Sequence, residues 1–263
     1  MNIVVISEYA TRELYVIEQI QKRYPSTIVV QPSYNGESSK GKKASPKKRF
    51  QQFTNRITWK LHRELWDRKI FPQKKLPDVS NKIFIPSSEL NEPAGIKAIR
   101  ELTPDILITC RAPLLKPGLI QIPTIAAVNI HYGIAPHYRG NDTLFWPLFF
   151  EDYKNLGGSL HHLTEGIDTG NIIAEVYPGL KPTDGEIALD IKTTQLLAKA
   201  MLLFLEAAEH SNADLTGKVQ SIAGRNFNSK DRTLSMSIKY LVKRMLGLSR
   251  PPHRSEKIVT YFF

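Results

Sequence analysis

Short apolar runs alternate with segments of helical periodicity through the first half of the sequence. Runs such as Ile3–Ser7 and residues 125–130 are about five residues long and almost wholly apolar, whereas Thr11–Arg23 repeats apolar residues every three or four positions. Strands that are apolar on both faces are typical of parallel sheets covered by helices on both sides. The sequence therefore predicts an α/β fold with a Rossmann-like, doubly wound, mostly parallel sheet. The other predicted strands are residues 27–31, 82–85, 105–109, 156–163 and 171–177.

A longer helical pattern follows the last of these strands and ends near His210. Thr183 and Glu186 have the spacing of a capping box at its start. After Gly217 the apolar periodicity weakens, and the remaining residues suggest a short tail with one basic helix. We expect a catalytic domain at residues 1–212 and a short C-terminal extension at residues 213–263.

Composition limits the class of protein. The chain has 263 residues with 41% hydrophobic content, enough for one sizeable core. Its single cysteine, Cys110, excludes an internal disulfide and a cysteine zinc cluster, and fits a reducing compartment. No run of about 18 apolar residues occurs, and the first residues have the pattern of a strand rather than of a signal peptide. We expect a cytoplasmic protein with no metal site and no membrane span.

The net charge of +11 is concentrated in one insert, at about residues 36–78. Between Lys40 and Lys75 there are 13 Lys and Arg residues and two acidic residues, so this segment alone carries +11. Five apolar residues of the insert fall on one helical face, namely Phe50, Phe53, Ile57, Leu61 and Leu65. Two interpretations stay open: a helix docked on its own domain with a solvated cationic side, or a surface for phosphate, nucleic acid or an anionic membrane.

Glycine motifs for phosphate binding are missing from the sequence. The segment after the first predicted strand contains no glycine, and no P-loop pattern occurs anywhere. Dinucleotide binding and P-loop phosphate binding are therefore disfavoured. The predicted sheet must serve another ligand.

Polar side chains instead follow two apolar strands. Asn129 and His131 are two residues apart at a strand end, so their side chains leave the same face of the sheet. Asp168 lies in a turn between Gly166 and Gly170, after a strand that carries His161. Taken singly, these residues also fit a strand-ending Asn, a core His and a turn Asp. Together they supply an oxyanion donor, a base and a carboxylate that fixes protonation states, which suits direct acyl transfer to an amine.

Two segments resemble the 10-formyltetrahydrofolate-dependent formyltransferases. Residues 129–140, NIHYGIAPHYRG, resemble the first signature of that family, and residues 159–175, SLHHLTEGIDTGNIIAE, resemble the signature around its catalytic aspartate. The order and spacing of Asn129, His131 and Asp168 also match. The resemblance implies the formyltransferase fold, N-formyltransferase activity and 10-formyltetrahydrofolate as the formyl donor.

The resemblance also implies residue roles. Asn129 would donate a hydrogen bond to the formyl oxygen, His131 would assist and take part in proton transfer, and Asp168 would orient His131 and help to remove the amine proton. The implied folate contacts are Ala112, Pro113, Leu114, Leu115, Thr164, Glu165, Gly166 and Ile167. The expected contacts to the acceptor substrate are Tyr138, Arg139, Gly140, Asn141 and His161.

The sequence departs from the family pattern in two places. Tyr132 and Gly133 replace the usual Pro-Ser, and Ile134 and Ala135 replace Leu-Leu. The chain also lacks the phosphate loop of the glycinamide ribonucleotide enzyme, and too few residues follow Gly217 for the C-terminal barrel of the methionyl-tRNA enzyme. We therefore expect a small acceptor amine, carried by a nucleotide-linked amino sugar. An enzyme that acts on aminoacyl-tRNA and a formyltetrahydrofolate hydrolase remain as alternatives, and a homodimer stays open.

Overall fold

The computed structural model describes residues 1–8, 10–33, 77, 79–210 and 212–263. The predicted basic insert at residues 36–78, with its amphipathic helix, lies outside the described residues apart from Pro77.

Eight strands of the described chain form one sheet in the order β10-β8-β7-β5-β4-β1-β2-β3. These strands are β1 (Ile3–Ser7), β2 (Ile28–Ser33), β3 (Lys82–Pro86), β4 (Ile106–Cys110), β5 (Ala126–His131), β7 (Gly158–His162), β8 (Ile172–Tyr177) and β10 (Lys257–Thr260). Two further strands, β6 (Tyr138–Gly140) and β9 (Arg225–Phe227), form a separate small sheet. The helices are α1 (Thr11–Arg23), α2 (Pro93–Glu101), α3 (Pro117–Ile120), α4 (Phe145–Phe149), α5 (Glu186–Ala208) and α6 (Leu234–Met245).

The five strands from β3 to β5 in the sheet are all parallel to their neighbours. Beyond β5 the pairs β5–β7, β7–β8 and β8–β10 are antiparallel. The sheet is therefore mostly parallel, as the buried apolar runs predict. This Rossmann-like arrangement confirms the fold class expected from the sequence.

Side chains of each strand alternate between two separate cores. Ile3 and Val5 of β1 point to a face covered by α1 and α5, which we call the first face. Val4 and Ile6 point to the opposite face, which α2 and α3 cover and which we call the second face. Both sets are fully buried, so β1 needs an apolar residue at every position.

The start of α5 differs from the expected capping box. The helix begins at Glu186 with Gly185 as its N-cap, and no side chain caps it. The carboxylate of the neighbouring Asp184 instead accepts hydrogen bonds from the backbone N–H of Lys181 (2.8 Å) and from Lys192 Nζ (2.6 Å). The capping prediction for Thr183 was wrong because this Asp184 turn shapes the entry to the helix.

The residues after 212 pack onto the rest of the structure. The tail contains the predicted basic helix, α6, and also β10, which the sequence analysis did not predict and which extends the sheet beside β8. Tyr240 of α6 is buried in a third cluster with Tyr138, Phe145, Trp146, Leu148, Leu156, Leu180 and Leu189. The domain division at residue 212 stays a prediction. Within the described residues, no helix combines the length and apolar character needed to cross a membrane.

Candidate active site

The second face carries polar side chains where β5 approaches its carboxyl end. Val128 and Ile130 point to the apolar first face, so Asn129 and His131 point the other way. His161 on β7 lies directly opposite Asn129 in the antiparallel pair, which places it on the same face. Strand alternation alone thus brings an amide and two imidazoles together.

Asp168 reaches this group from the loop between β7 and β8. Its Oδ2 lies 3.4 Å from His131 Nδ1 and accepts a 2.8 Å hydrogen bond from the backbone N–H of Gly140. Its Oδ1 lies 3.2 Å from His161 Nε2. Asp168 has φ +51°, in the left-handed region that costs energy for a residue other than glycine. The predicted Asn129, His131 and Asp168 group is therefore assembled, and His161 joins it.

Backbone carbonyls determine the tautomers of both imidazoles. His131 Nε2 lies 2.8 Å from the carbonyl oxygen of Tyr138, which can only accept, so Nε2 carries a proton. His161 Nδ1 lies 2.8 Å from the carbonyl of His162 and is protonated for the same reason. The other ring nitrogens, His131 Nδ1 and His161 Nε2, both face Asp168.

Burial and charge act in opposite directions on these groups. Burial lowers the pKa of His131 from its ordinary value of 6.5, and this outweighs the raising effect of the Asp168 carboxylate. Burial by itself would raise the pKa of Asp168. Attraction to the protonated forms of the two imidazoles, together with the Gly140 N–H, outweighs burial and holds that pKa well below 3.8. At neutral pH the site thus contains a carboxylate beside an imidazole that can accept a proton.

Asn129 is held with its NH₂ group toward the carboxylate. Thr109 on the adjacent β4 donates a 2.7 Å hydrogen bond to Asn129 Oδ1. Asn129 Nδ2 then donates to His161 Nε2 at 3.1 Å and more weakly to Asp168 Oδ1 at 3.4 Å. An incoming oxygen can compete for the weaker contact, so Asn129 is placed to stabilise negative charge.

One residue of the departures from the family pattern, Gly133, has a structural explanation. A Cβ at this position would lie 2.7 Å from the carbonyl oxygen of Tyr138 and 2.8 Å from His131 Nε2. Any side chain would therefore disturb the bond that fixes the His131 tautomer. The preceding Tyr132 is buried, and the Arg12 guanidinium lies 4.0 Å above its ring.

The predicted folate contacts lie on two loops with different exposure. Leu114 and Ile167 are 59% and 45% exposed, which leaves both side chains accessible to a ligand. Leu115 is instead buried in the core of the second face with Leu119. Asn91 fixes the first loop, donating to the carbonyl of Leu114 and accepting from the N–H of Lys116. The other predicted folate contacts lie on these same two loops and are Ala112, Pro113, Thr164, Glu165 and Gly166.

The predicted acceptor contacts serve the site in different ways. Tyr138 contributes its carbonyl to His131, while its hydroxyl donates to Asp152 Oδ2 at 2.9 Å within the third cluster. Gly140 contributes its N–H to Asp168. Asn141 is exposed, and its N–H donates to Phe227 on β9.

Arg139 donates to Gln220, and its Nε is buried without a hydrogen-bond partner among the described residues. Sequence reasoning missed Gln220, Thr109 and the role of Gly133. Pairing of β4 with β5 could have indicated Thr109, but no sequence signal connects Gln220 to the site. In the described chain no group of histidine, cysteine and carboxylate side chains is arranged to hold a metal ion.

Comparison with known proteins agrees with this geometry. The family model described as formyl transferase matches residues 1–205. The chain is 31% identical to methionyl-tRNA formyltransferase from Methylacidiphilum infernorum over 132 residues, which is 50% of this chain and 41% of that protein. The curated relatives are therefore matched over less than two thirds of their own length.

Solved structures show the same fold at low sequence identity. A sugar N-formyltransferase from Shewanella sp. superposes with a TM-score of 0.58 at 14% identity, over 92% of this chain and 87% of that one. An N-formyltransferase from Helicobacter canadensis, in complex with folinic acid and dTDP-3-aminofucose, superposes with a TM-score of 0.52 at 16% identity, over 93% and 80%.

Proposed function

The chain belongs to the formyl transferase family, since that family's model matches residues 1–205, and we propose that it transfers a formyl group from 10-formyltetrahydrofolate to an amine. One observation carries this proposal. Asn129, His131 and Asp168 meet within hydrogen-bond or near hydrogen-bond distance, although Asp168 lies 39 residues from Asn129. An amide donor, an imidazole and a carboxylate in one place are what acyl transfer to an amine requires.

Asn129 stabilises the charge that develops on the formyl oxygen. Its Nδ2 has two hydrogens, and the weaker contact to Asp168, at 3.4 Å, is the one that a formyl oxygen replaces. The bond from Thr109 keeps the NH₂ group on this side. The amide is therefore oriented before the reaction and needs little rearrangement during it.

His131 and Asp168 receive the proton that leaves the attacking amine. The free lone pair of neutral His131 lies on Nδ1, 3.4 Å from Asp168 Oδ2. Because burial lowers the pKa of His131, the imidazole is neutral at pH 7 and ready to accept. The Asp168 carboxylate then stabilises the imidazolium that forms.

The donor binds at the two loops that carry Leu114 and Ile167. Each loop presents one exposed apolar side chain beside the polar site, which suits a flat heterocycle that carries amide groups. When bound, 10-formyltetrahydrofolate supplies the formyl carbon. The loops orient it, and Asn129 contacts its oxygen.

We propose that the acceptor is a nucleotide-linked amino sugar. In the described chain Arg139 forms no ion pair with a carboxylate, so its charge can be neutralised by a phosphate group of the acceptor. The structural neighbour from Helicobacter canadensis was crystallised with dTDP-3-aminofucose, a substrate of this chemical class. The neighbouring Gly140 already contacts Asp168, so an acceptor at Arg139 lies next to the reacting groups.

Formyl transfer to a defined panel tests the proposal. Purified protein is incubated with 10-formyltetrahydrofolate and dTDP-3-aminofucose, related UDP-linked amino sugars, or no acceptor, and products are identified by mass spectrometry. We expect an N-formylated sugar with wild type and a loss on the order of 10²–10³ in kcat for Asn129→Ala. Formate release without an acceptor would indicate the hydrolase instead. Turnover unchanged in Asn129→Ala would show that Asn129 has only a structural role.

A tRNA acceptor is the second candidate, and the charge distribution favours it. Residues 40–75 carry the whole net charge of +11, and the matched curated relatives include methionyl-tRNA formyltransferases. If the insert binds phosphates, the affinity for tRNA falls steeply as the salt concentration rises. The slope of log affinity against log salt concentration shrinks by about one for each phosphate contact that is lost. We expect the Lys47/Lys48/Arg49 triple alanine variant to bind methionyl-tRNA no differently from wild type. A large loss limited to low-salt tRNA binding would favour the tRNA enzyme.

We also propose a cytoplasmic location. Cys110 is the single cysteine of the chain, and it is fully buried on β4. A chain without disulfides suits a reducing compartment.

A further inference from the structure

Gln220 connects two parts of the candidate active site. Its Nε2 donates to the backbone carbonyls of Asp168, at 3.0 Å, and Gly170, at 2.6 Å. Its Oε1 accepts a hydrogen bond from the Arg139 guanidinium. Both hydrogens and the oxygen of this amide are therefore used, and they join the Asp168 loop to β6.

The Asp168 loop needs an external support of this kind. Asp168 itself has φ +51°, a left-handed backbone conformation that side-chain-bearing residues adopt less readily than glycine. Most of the loop is exposed, and its internal hydrogen bonds include the one between the Thr164 and Thr169 hydroxyls. The bonds from Gln220 act on the backbone of Asp168, the residue whose carboxylate must face His131.

Gln220 is itself firmly placed by the residues before it. Lys218 forms a two-way backbone bridge with Ile172 at the start of β8, with both N–H to O distances at 2.8 Å. Gly217 has φ +71°, and a Cβ there would lie 2.6 Å from the carbonyl of Ile172. Asn171 donates from its side chain to the carbonyl of Thr216 at 3.0 Å. The segment is therefore fastened to β8 immediately after the Asp168 loop ends.

We propose that Gln220 is a positioning residue that holds the Asp168 carboxylate in register with His131 and Gly140. Gln220 lies outside residues 1–205, the part matched by the family model, so the tail supplies a function that the family match does not include. This inference rests on the catalytic assignment of Asp168 in the proposed function. It assigns Gln220 no contact with a substrate.

The chain contains a matched control for this amide. Gln21 Nε2 also donates to two backbone carbonyls, those of Thr27 (3.0 Å) and Ser80 (2.8 Å). Thr27 and Ser80 precede β2 and β3, so Gln21 lies at the amino edge of the sheet, away from the site. Gln21→Met and Gln220→Met therefore remove the same chemistry from two different places.

The test measures kcat, KM, melting temperature and hydrogen exchange of residues 164–170 in wild type, Gln220→Met, Gln220→Glu and Gln21→Met. Formyl transfer from 10-formyltetrahydrofolate to dTDP-3-aminofucose, or to the panel member that wild type uses, provides the assay. We expect both Gln220 variants to lose about tenfold to a hundredfold in kcat, with KM for the folate within about twofold of wild type. Gln220→Glu tests the N–H donors directly, because it keeps the length of the side chain and its Arg139 partner. Gln21→Met should retain the wild-type kcat.

A double variant separates positioning from a purely structural role. If Gln220 acts through Asp168, then adding Gln220→Met to Asp168→Asn lowers kcat no further, because the carboxylate is already gone. A multiplicative loss in the double variant, or a Gln220→Met kcat within twofold of wild type, would overturn the inference. If wild type transfers no formyl group to any acceptor, the proposed function fails. Faster hydrogen exchange of residues 164–170 in Gln220→Met would then still support the positioning role of Gln220, and unchanged hydrogen exchange would refute it.

Discussion

The two faces of the sheet use the same strands for different purposes. On the first face, Val128 and Ile130 of β5 join an apolar core that extends to α1 and α5. On the second face, the neighbouring Asn129 and His131 form a polar group with His161. The apolar cluster of the second face includes residues of all five parallel strands, β1 to β5, and no residue of β7 or β8. The apolar first face therefore stabilises the fold. The second face places polar, reactive side chains where its apolar cluster ends.

The largest fall in kcat is expected when the carboxylate of the second face is removed. Asp168→Asn keeps the shape of the side chain and an acceptor for the Gly140 N–H, but it removes the charge beside His131. We expect kcat to fall on the order of 10²–10⁴, and the melting temperature to fall as well, because the ionised carboxylate also stabilises the fold. Steady-state kinetics and thermal unfolding measure both quantities.

Asp184→Asn is the control for that variant. Asp184 is also a buried carboxylate, but it binds Lys192 and the Lys181 N–H near the start of α5. We expect this change to affect stability and to leave kcat unaltered. Equal losses of kcat in the two variants would show that burial of charge, and not the site, determines the effect.

A substitution in the core of the first face should lower stability and leave kcat unchanged. Phe204 of α5 is fully buried and meets Phe262 edge-to-face at 5.8 Å. Phe204→Ala should lower the free energy of unfolding by about 3–5 kcal/mol, because it removes the ring and leaves a cavity. Urea unfolding measures the loss. The kcat of the folded fraction should stay at the wild-type value, and a lower kcat would mean that the two faces are coupled.

A smaller loss of kcat is expected when the hydrogen bond that orients Asn129 is removed. Thr109→Val keeps the shape of the side chain and removes the hydroxyl that donates to Asn129 Oδ1. We expect a loss of roughly threefold to tenfold in kcat, which corresponds to about 0.5–1.5 kcal/mol for one hydrogen bond. Thr109→Ser keeps the hydroxyl and should recover most of the activity. If the serine variant were as slow as the valine variant, side-chain packing would explain the loss.

The smallest expected effect is on how the free energy of unfolding depends on pH. Burial lowers the folded pKa of His131 below 6.5, so the unfolded chain binds more protons in the window between the two values. The contribution of neutral His131 to the free energy of unfolding is fully present above pH 6.5. It is lost as the pH falls from 6.5 through the folded pKa of His131. The Asp168 pKa is also lowered, and its contribution is lost only below about pH 4.

Urea unfolding of wild type and of His131→Gln at pH 7.5 and 5.5 tests this dependence. We expect the loss of stability between the two pH values to be smaller in the variant. An identical loss in both proteins would assign the dependence to other groups.

Much of the fold could be predicted from the sequence because buried parallel strands leave a clear pattern. The apolar run of β1 and the alternation in β5 are local signals, and the pair Asn129 and His131 follows from that alternation. Family membership, which the two signature segments predicted, is confirmed by the match to residues 1–205. Local pattern therefore sufficed for the elements whose burial is complete.

The remaining features depend on contacts between distant residues. β10 is four residues long and exposed or only partly buried at every position, and its assignment to the sheet comes from pairing with β8. The N-cap expected at Thr183 failed because Asp184 binds Lys192 across the turn. Gln220 acts 52 residues away from Asp168. Such contacts are decided by the assembled structure and leave no periodic trace in the sequence.

The distance between Asp168 and Gln220 along the chain has a consequence for biosynthesis. The loop carbonyls and the amide that binds them are separated by 52 residues. At about 5–20 residues per second, the ribosome adds Gln220 roughly 3–10 s after Asp168. For that interval the nascent sheet can pair β4 with β5 while its carboxylate loop is still without this support. The support from Gln220 thus becomes available only after every strand from β1 to β8 has been synthesised.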